Sequence, residues 1–267
     1  MQTGNTLSSG CVSQLSTTDA HSVAIEQVIL AMRKRLQAPL SLQDMADIAH
    51  MSPYHFSRVF HRLVGITPGE FLTALRLDAA KRLLLTTSLS VTDICFEVGY
   101  LSPGSFTTRF TQLVGLPPRQ LRQVAGDYTM PCPESLHDTR TYSFCHVPFR
   151  GCFLGRVSTA IDFTGLIYVG VFPKPIPQGH PCSCTLLAAP GTYFIKSLPD
   201  GCYYVLAVAL PFSGKAHSYL LPDTNVPAGM TQGPLVIHNG KMSGQPDIRL
   251  LPRRVTDPPI VVALPFI

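Results

Sequence analysis

Apolar positions recur every three or four residues through the first half of the chain and lose that period near residue 126. "VAIEQVILAMRKRL" puts Val23, Ile25, Val28, Ile29, Met32 and Leu36 mostly on one helical face. "GEFLTALRLDAAKRLLL" is rich in Leu and Ala, with Thr67-Pro68 as capping residue and first-turn proline. A helix of about 17 residues from Pro68 to Leu85 is therefore predicted. Beyond residue 126, prolines punctuate short runs: "GLIYVGVF", "CTLLAA", "GTYFI", "CYYVLAVAL", "PLVIH", "DIRLL" and "PIVVALP". Their Val, Ile and Tyr content and the turn residues between them read as seven strands. The predicted fold class is two-domain, α then β: a helical domain, then an antiparallel β-sandwich or small barrel. "GTYFIKSLPDGCYYVLAVAL" reads as two strands around a tight turn.

The helical half says one phrase twice. "SLQDMADIAHMSPYHFSRVF" starts at Ser41 and "SVTDICFEVGYLSPGSFTTRF" at Ser90, the second with one extra residue in its turn. In each, Ser caps a first helix and Asp three residues on (Asp44, Asp93) favours its dipole. Leu42, Met45, Ala46 and Ala49 are expected to form a buried stripe. A Ser-Pro pair then restarts the chain, and Phe56/Phe60 or Phe106/Phe110, four apart, share the inner face of a second helix. This is a helix–turn–helix, which leaves two readings open: structural helical hairpins, or units that place a second helix in a DNA major groove. Spacing favours the second, because a helix of roughly 26 Å can hold two reading helices near the ~34 Å repeat of B-DNA.

Charge agrees with that reading without requiring it. The 267 residues carry a net +5, and residues 22–125 hold 11 Lys+Arg against 7 Asp+Glu. No apolar run reaches membrane-span length, and the first residues lack a basic start and an apolar stretch, so a cytoplasmic protein without a membrane partner is expected. The eight cysteines read as reduced thiols. The expected divisions are a disordered tail at 1–21, the helical domain at 22–125, a linker at 126–147 and the β-domain at 148–267.

From "LQDMADIAHMSPYHFSRVFHRLVGITPGEFLTALRLDAAKRLL" and "SVTDICFEVGYLSPGSFTTRFTQLVGLPPRQLR", the first part resembles the AraC/XylS family of transcription regulators. The resemblance implies a seven-helix domain with two helix–turn–helix motifs that reads asymmetric DNA sites in two successive major grooves. Carried over, the DNA-facing positions are Pro53, Tyr54, Ser57, Arg58 and Arg62 in the first unit. In the second they are Pro103, Gly104, Ser105, Thr107, Thr108 and Arg109. Arg58 suits two bonds to guanine, and Arg62 suits phosphate. His55 and His61 read as packing or surface residues. The second unit departs from the pattern: Thr108 stands where the first has Arg58, and Arg109 is displaced about 100° around the helix toward phosphate or Glu97. Arg76, Lys81 and Arg82 on the connector read as a solvated face, and Arg119 and Arg122 as approaching phosphates.

The β-domain's Gly191-Thr-Tyr193 and Leu198-Pro-Asp-Gly201-Cys-Tyr203 resemble the transthyretin-like, or carboxypeptidase regulatory-like, sandwich. Such domains are mostly structural or adhesive; the role expected here is effector sensing or oligomerisation. The expected partners are double-stranded promoter DNA and RNA polymerase, with a small-molecule effector and a homodimer as further readings. A ligand-independent DNA-binding protein that recruits a partner protein is the alternative. No catalytic constellation is present and no cofactor is implied. "HPCSC" supplies the one candidate thiol or metal set, His180, Cys182 and Cys184, weighed against ordinary core cysteines.

Overall fold

The computed structural model describes residues 17–127, 140–143, 152–196, 198–213, 216–223 and 225–263. Helix α1 spans Thr17–Lys34 and so begins inside the stretch expected as a tail; residues 1–16 lie outside the described residues. The duplicated units are α2 (Leu42–Ile48) with α3 (Pro53–Val64), and α5 (Val91–Glu97) with α6 (Pro103–Val114). The connector is α4 (Pro68–Thr86), and α7 (Pro118–Asp127) follows the second unit. These are the seven helices that the resemblance implies.

Local chemistry explains the repeat. Ser41 and Ser90 accept from the amides of Asp44 and Asp93, whose carboxylates accept in turn from the cap amides, giving two full capping boxes. Ser52 and Ser102 cap α3 and α6, each with proline in the first turn. Gly65 and Gly115 end those helices at φ 85° and 95°. Inside, Phe60 meets Phe56 and Phe71 edge-on at 5.7 Å each. The second unit stacks Tyr100, Phe106 and Phe110 at 5.3 and 5.5 Å.

The two turns differ at one backbone position. His50 (φ 53°) and Gly99 (φ 84°) both adopt the left-handed conformation. A Cβ on Gly99 would stand 2.4 Å from the Leu36 carbonyl oxygen, so glycine is required there. His50 is exposed and bears the left-handed penalty of an L side chain. His50→Gly is expected to raise stability by about 0.5–1 kcal/mol in urea unfolding; an unchanged midpoint would mean that the imidazole offsets its backbone strain. The extra residue of the second turn is Leu101, 95% exposed.

The β-domain is two sheets. β1 (Arg140–Ser143), β3 (Gly165–Phe172), β4 (Ser183–Leu187), β6 (Gly201–Pro211), β8 (Leu235–His238) and β9 (Lys241–Ser243) pair in the order β1-β4-β3-β6-β8-β9, with β7 (Ala228–Met230) also on β6. All of those pairings are antiparallel. The second sheet is β10-β2-β5, from Ile248–Leu250, Cys152–Thr159 and Thr192–Lys196, and its β10–β2 pair is parallel. A core of Val157, Val169, Tyr193, Val205, Leu235 and Ile248, among others, fills the space between the sheets. β1 falls within the stretch expected as a linker.

Two sequence expectations fail here. The run around Leu198–Gly201 is not a hairpin: β5 pairs with β2, whereas β6 pairs with β3, β7 and β8. The turn carries the chain from one sheet to the other, which lets Tyr193 and Tyr203 enter the same core from opposite sides. Residues 259–263 of the run "PIVVALP" form no strand, because their backbone groups bond elsewhere, and the rest of the run lies outside the described residues. The Val261 and Val262 amides donate to the Pro177 carbonyl, and the Ala263 amide donates to the Val114 carbonyl at the end of α6.

That last bond belongs to a wide contact between the domains. Ile176, Val261, Ala263 and Leu220 of helix α8 (Ala216–Leu220) join the core of the helical domain. The Gly179 amide donates to the Leu113 carbonyl at 2.6 Å. Both carbonyls, Leu113 and Val114, lie in the last turn of α6, where no intrahelical donor is left. Pro175 packs where a Cβ on Gly65 would stand, at the end of α3. Lys174 pairs with Glu70, which also completes the capping box of α4. The β-domain therefore touches the C-terminal end of both second helices of the repeat.

Candidate nucleic-acid interface

On α3, Ser52 and proline fix the first turn, and the Phe56/Phe60 pair fixes which face is buried. The opposite face then carries Tyr54 (75% exposed), Arg58 and Arg62. Pro53 and Ser57 are half-buried. The Arg58 guanidinium lies 5.7 Å from the centre of the Tyr54 ring, one helical turn back. This cation–π contact holds the arginine out along the helix before any ligand arrives. Arg58, Arg62, Ser57 and His61 border an open depression of about 560 Å³. His55 meets the His21 ring of α1 edge-on at 5.4 Å.

On α6, Pro103, Gly104, Ser105, Thr107, Thr108 and Arg109 are all exposed. The Ser105 amide and hydroxyl both bond to Ser102, so this serine is partly occupied by the cap. A Cβ on Gly104 would have only the Ser102 hydroxyl nearby, at 3.8 Å, so the fold itself does not demand glycine there. Arg109 bonds to Gln112 at 3.3 Å. It does not pair with Glu97, whose carboxylate accepts from Gln37 instead.

Several expected surface cations have other work. Arg76 donates to the Leu36 and Ala38 carbonyls at 3.0 and 3.1 Å, tying α4 to the chain that precedes the first unit. Arg122 does the same for the second unit, donating to Leu84 and Leu89 at 2.9 and 2.7 Å. Arg82 keeps the solvated-face role, exposed and paired with Asp78 at 3.3 Å. Lys81 is fully buried and donates to the Ile260 and Val262 carbonyls at 3.0 and 3.4 Å. It is not part of a solvated face, because the C-terminal segment covers it. Burial pushes its ammonium down to about 8, against an opposing effect of Asp78.

His180, Cys182 and Cys184 do not converge. His180 is exposed, Cys182 packs against the core between the sheets, and Cys184 packs on the other face of the large sheet. Burial pushes the Cys184 thiol up to about 11, which disfavours the thiolate that a metal would need. Among the described residues no group of three His, Cys, Asp or Glu is placed to hold a metal ion. No helix of the described residues is long and apolar enough to cross a membrane.

The helical part of the chain is similar in sequence to known helix-turn-helix proteins. The family described as helix-turn-helix domain matches residues 45–123. The bifunctional transcriptional activator/DNA repair enzyme AdaA of Bacillus subtilis is 37% identical over 92 residues, 34% of this chain and 44% of that protein. The chain thus spans less than half of that relative. The HTH-type transcriptional activator AarP of Providencia stuartii is 32% identical over 105 residues, 39% of this chain and 78% of AarP. Among solved structures, the DNA-binding domain of AdpA in complex with a target DNA aligns with a TM-score of 0.37 and 28% identity, covering 38% of this chain and 91% of that one.

Proposed function

The chain belongs to the AraC/XylS family of helix–turn–helix transcriptional regulators, and we propose that it reads two successive major grooves of promoter DNA with α3 and α6. The observation that carries this is the pair of matching, Ser-Pro-capped helices on either side of α4, each with its Phe pair buried and its outer face open. In the first unit Arg58 reads a base, steadied by Tyr54, while Arg62 binds phosphate. Pro53 and Ser57 flank them. In the second unit Pro103, Gly104, Ser105, Thr107 and Thr108 approach the groove closely with short side chains, and Arg109 serves phosphate. The β-domain senses a small molecule, and RNA polymerase is the protein partner at the promoter.

Selection of bound sites from random DNA tests the reading. Two conserved blocks about one helical turn apart are expected, the block under α3 carrying the stronger base preference; a single block would refute it. Arg58→Ala is expected to cost about 1–3 kcal/mol on the selected site and to relax preference at one base pair. Equal loss on selected and unrelated DNA would assign Arg58 to phosphate instead. Gly104→Ala should stabilise the helix by roughly 0.5–1 kcal/mol while weakening DNA binding. A variant that is both more stable and equally tight would show that α6 does not approach closely.

A further inference from the structure

The outer face of the seven-stranded sheet is incompletely covered. Between it and the C-terminal segment lies a cleft of about 400 Å³, within the range of small-molecule sites. One wall is Tyr168, Phe172, Leu206 and Val208 on β3 and β6; the other is Ile260 and Val262. The polar lining carries Arg249, Arg253 and Arg254 against Asp257. Asp257 is taken by Arg254 at 3.3 Å, and Arg253 donates to the Pro258 carbonyl at 2.6 Å. Arg249 is exposed and has no side-chain partner among the described residues. The lining thus offers apolar surface and one uncommitted guanidinium.

We propose that this cleft binds a small molecule with a ring-sized apolar body and a single anionic group, and that its occupancy is transmitted to the DNA-reading helices. The body lies against the sheet, and the anion meets Arg249. The transmission rests on the regulator reading above and on the identity of the walls. Ile260 and Val262 present their carbonyls to Lys81 of α4. Pro177, also in the lining, holds the Val261 and Val262 amides. Pro175, another lining residue, packs on Gly65 at the end of α3. Any occupant that moves these walls moves contacts to α4 and to the end of α3, and, through Ala263 next to Val262, the bond at the end of α6.

The test uses the full chain and 1-anilinonaphthalene-8-sulfonate, an aromatic anion whose fluorescence rises in apolar sites. Its neutral analogue, N-phenyl-1-naphthylamine, lacks the sulfonate. Saturable binding at one site per chain is expected. It should be roughly tenfold weaker for the neutral analogue and for Arg249→Ala, and lost in Leu206→Trp, which fills the cleft. Each variant must melt cooperatively, since this probe also binds loosened proteins. Unsaturable binding, or binding that is indifferent to Leu206→Trp, overturns the site. Indifference to Arg249→Ala and to the missing sulfonate overturns the anion. On a selected DNA site, saturating probe is expected to change affinity at least about threefold; unchanged affinity with the probe bound overturns the transmission. Failure to select any DNA site, with probe binding intact, would instead count against the regulator reading and leave the cleft standing.

Discussion

Phe60→Ala is expected to lower the unfolding free energy by about 3–5 kcal/mol, the range for truncating a buried phenylalanine. Phe60 is fully buried and packs edge-on against both Phe56 of its own helix and Phe71 of the connector. Removing it takes the ring that joins the reading helix α3 to α4, and the surrounding rings cannot close the space without leaving their rotamers. The counterpart, Phe110→Ala, is expected to cost less. Phe110 stacks on Phe106, but α7 offers Leu121 where α4 offers Phe71, so one aromatic contact fewer is lost. Urea unfolding of the three proteins gives the comparison. A loss under about 1 kcal/mol for Phe60→Ala would mean that the first unit tolerates a cavity by collapsing around it. DNA binding separates this variant from Arg58→Ala. The phenylalanine variant loses affinity together with stability, whereas Arg58 is exposed and its removal should leave the unfolding midpoint unchanged.

The helical domain was legible in the sequence because its signals are local. Ser-x-x-Asp capping, Ser-Pro restarts and i, i+4 phenylalanines each specify geometry within a few residues, and all of them appear as expected. The exposed faces of α3 and α6 follow from that geometry, and the candidate DNA residues carried over from the family resemblance fall on or beside those faces. The β-domain was legible only as strands. Whether Leu198–Gly201 makes a hairpin or a crossover depends on which strands pair, and pairing is decided by residues far apart in the chain. The run "PIVVALP" carries strand composition, yet its residues 260–263 serve as the bridge between domains, a role that only their partners reveal. Lys81 did leave a trace. Ala74, Leu77, Lys81 and Leu84 fall at helical spacing, three or four apart, and all are buried. A lysine in an apolar stripe implies either a solvated edge or a second surface over it, and the β-domain supplies that surface.

Lys81→Met is expected to remove a pH dependence from the stability of the whole chain. The ordinary lysine value is 10.5, and burial pushes Lys81 down to about 8. Below about pH 8 the ammonium is charged in both folded and unfolded chains, so it contributes no slope. Between about pH 8 and 10.5 the unfolded chain still holds a proton that the folded chain has released, and raising the pH therefore favours folding. Across that window the native protein should gain on the order of 3 kcal/mol from this group relative to Lys81→Met. Tyr168, Tyr193 and Cys184, all pushed up by burial, act in the opposite direction at high pH. They are unchanged in the variant, so the difference between the two proteins isolates the lysine. Methionine keeps the apolar stem but leaves the Ile260 and Val262 carbonyls without their donor, which costs about 1–3 kcal/mol for each carbonyl left unpaired. Near pH 7 that loss opposes the relief of removing a buried charge, and the two proteins should lie close together in urea unfolding. By pH 10 the native lysine is neutral, still able to donate to a carbonyl, and no longer opposed by its own charge. The gap should then open in favour of the native protein. A gap that stays flat from pH 7 to pH 10 would mean that the two carbonyls hold the ammonium charged inside the domain interface.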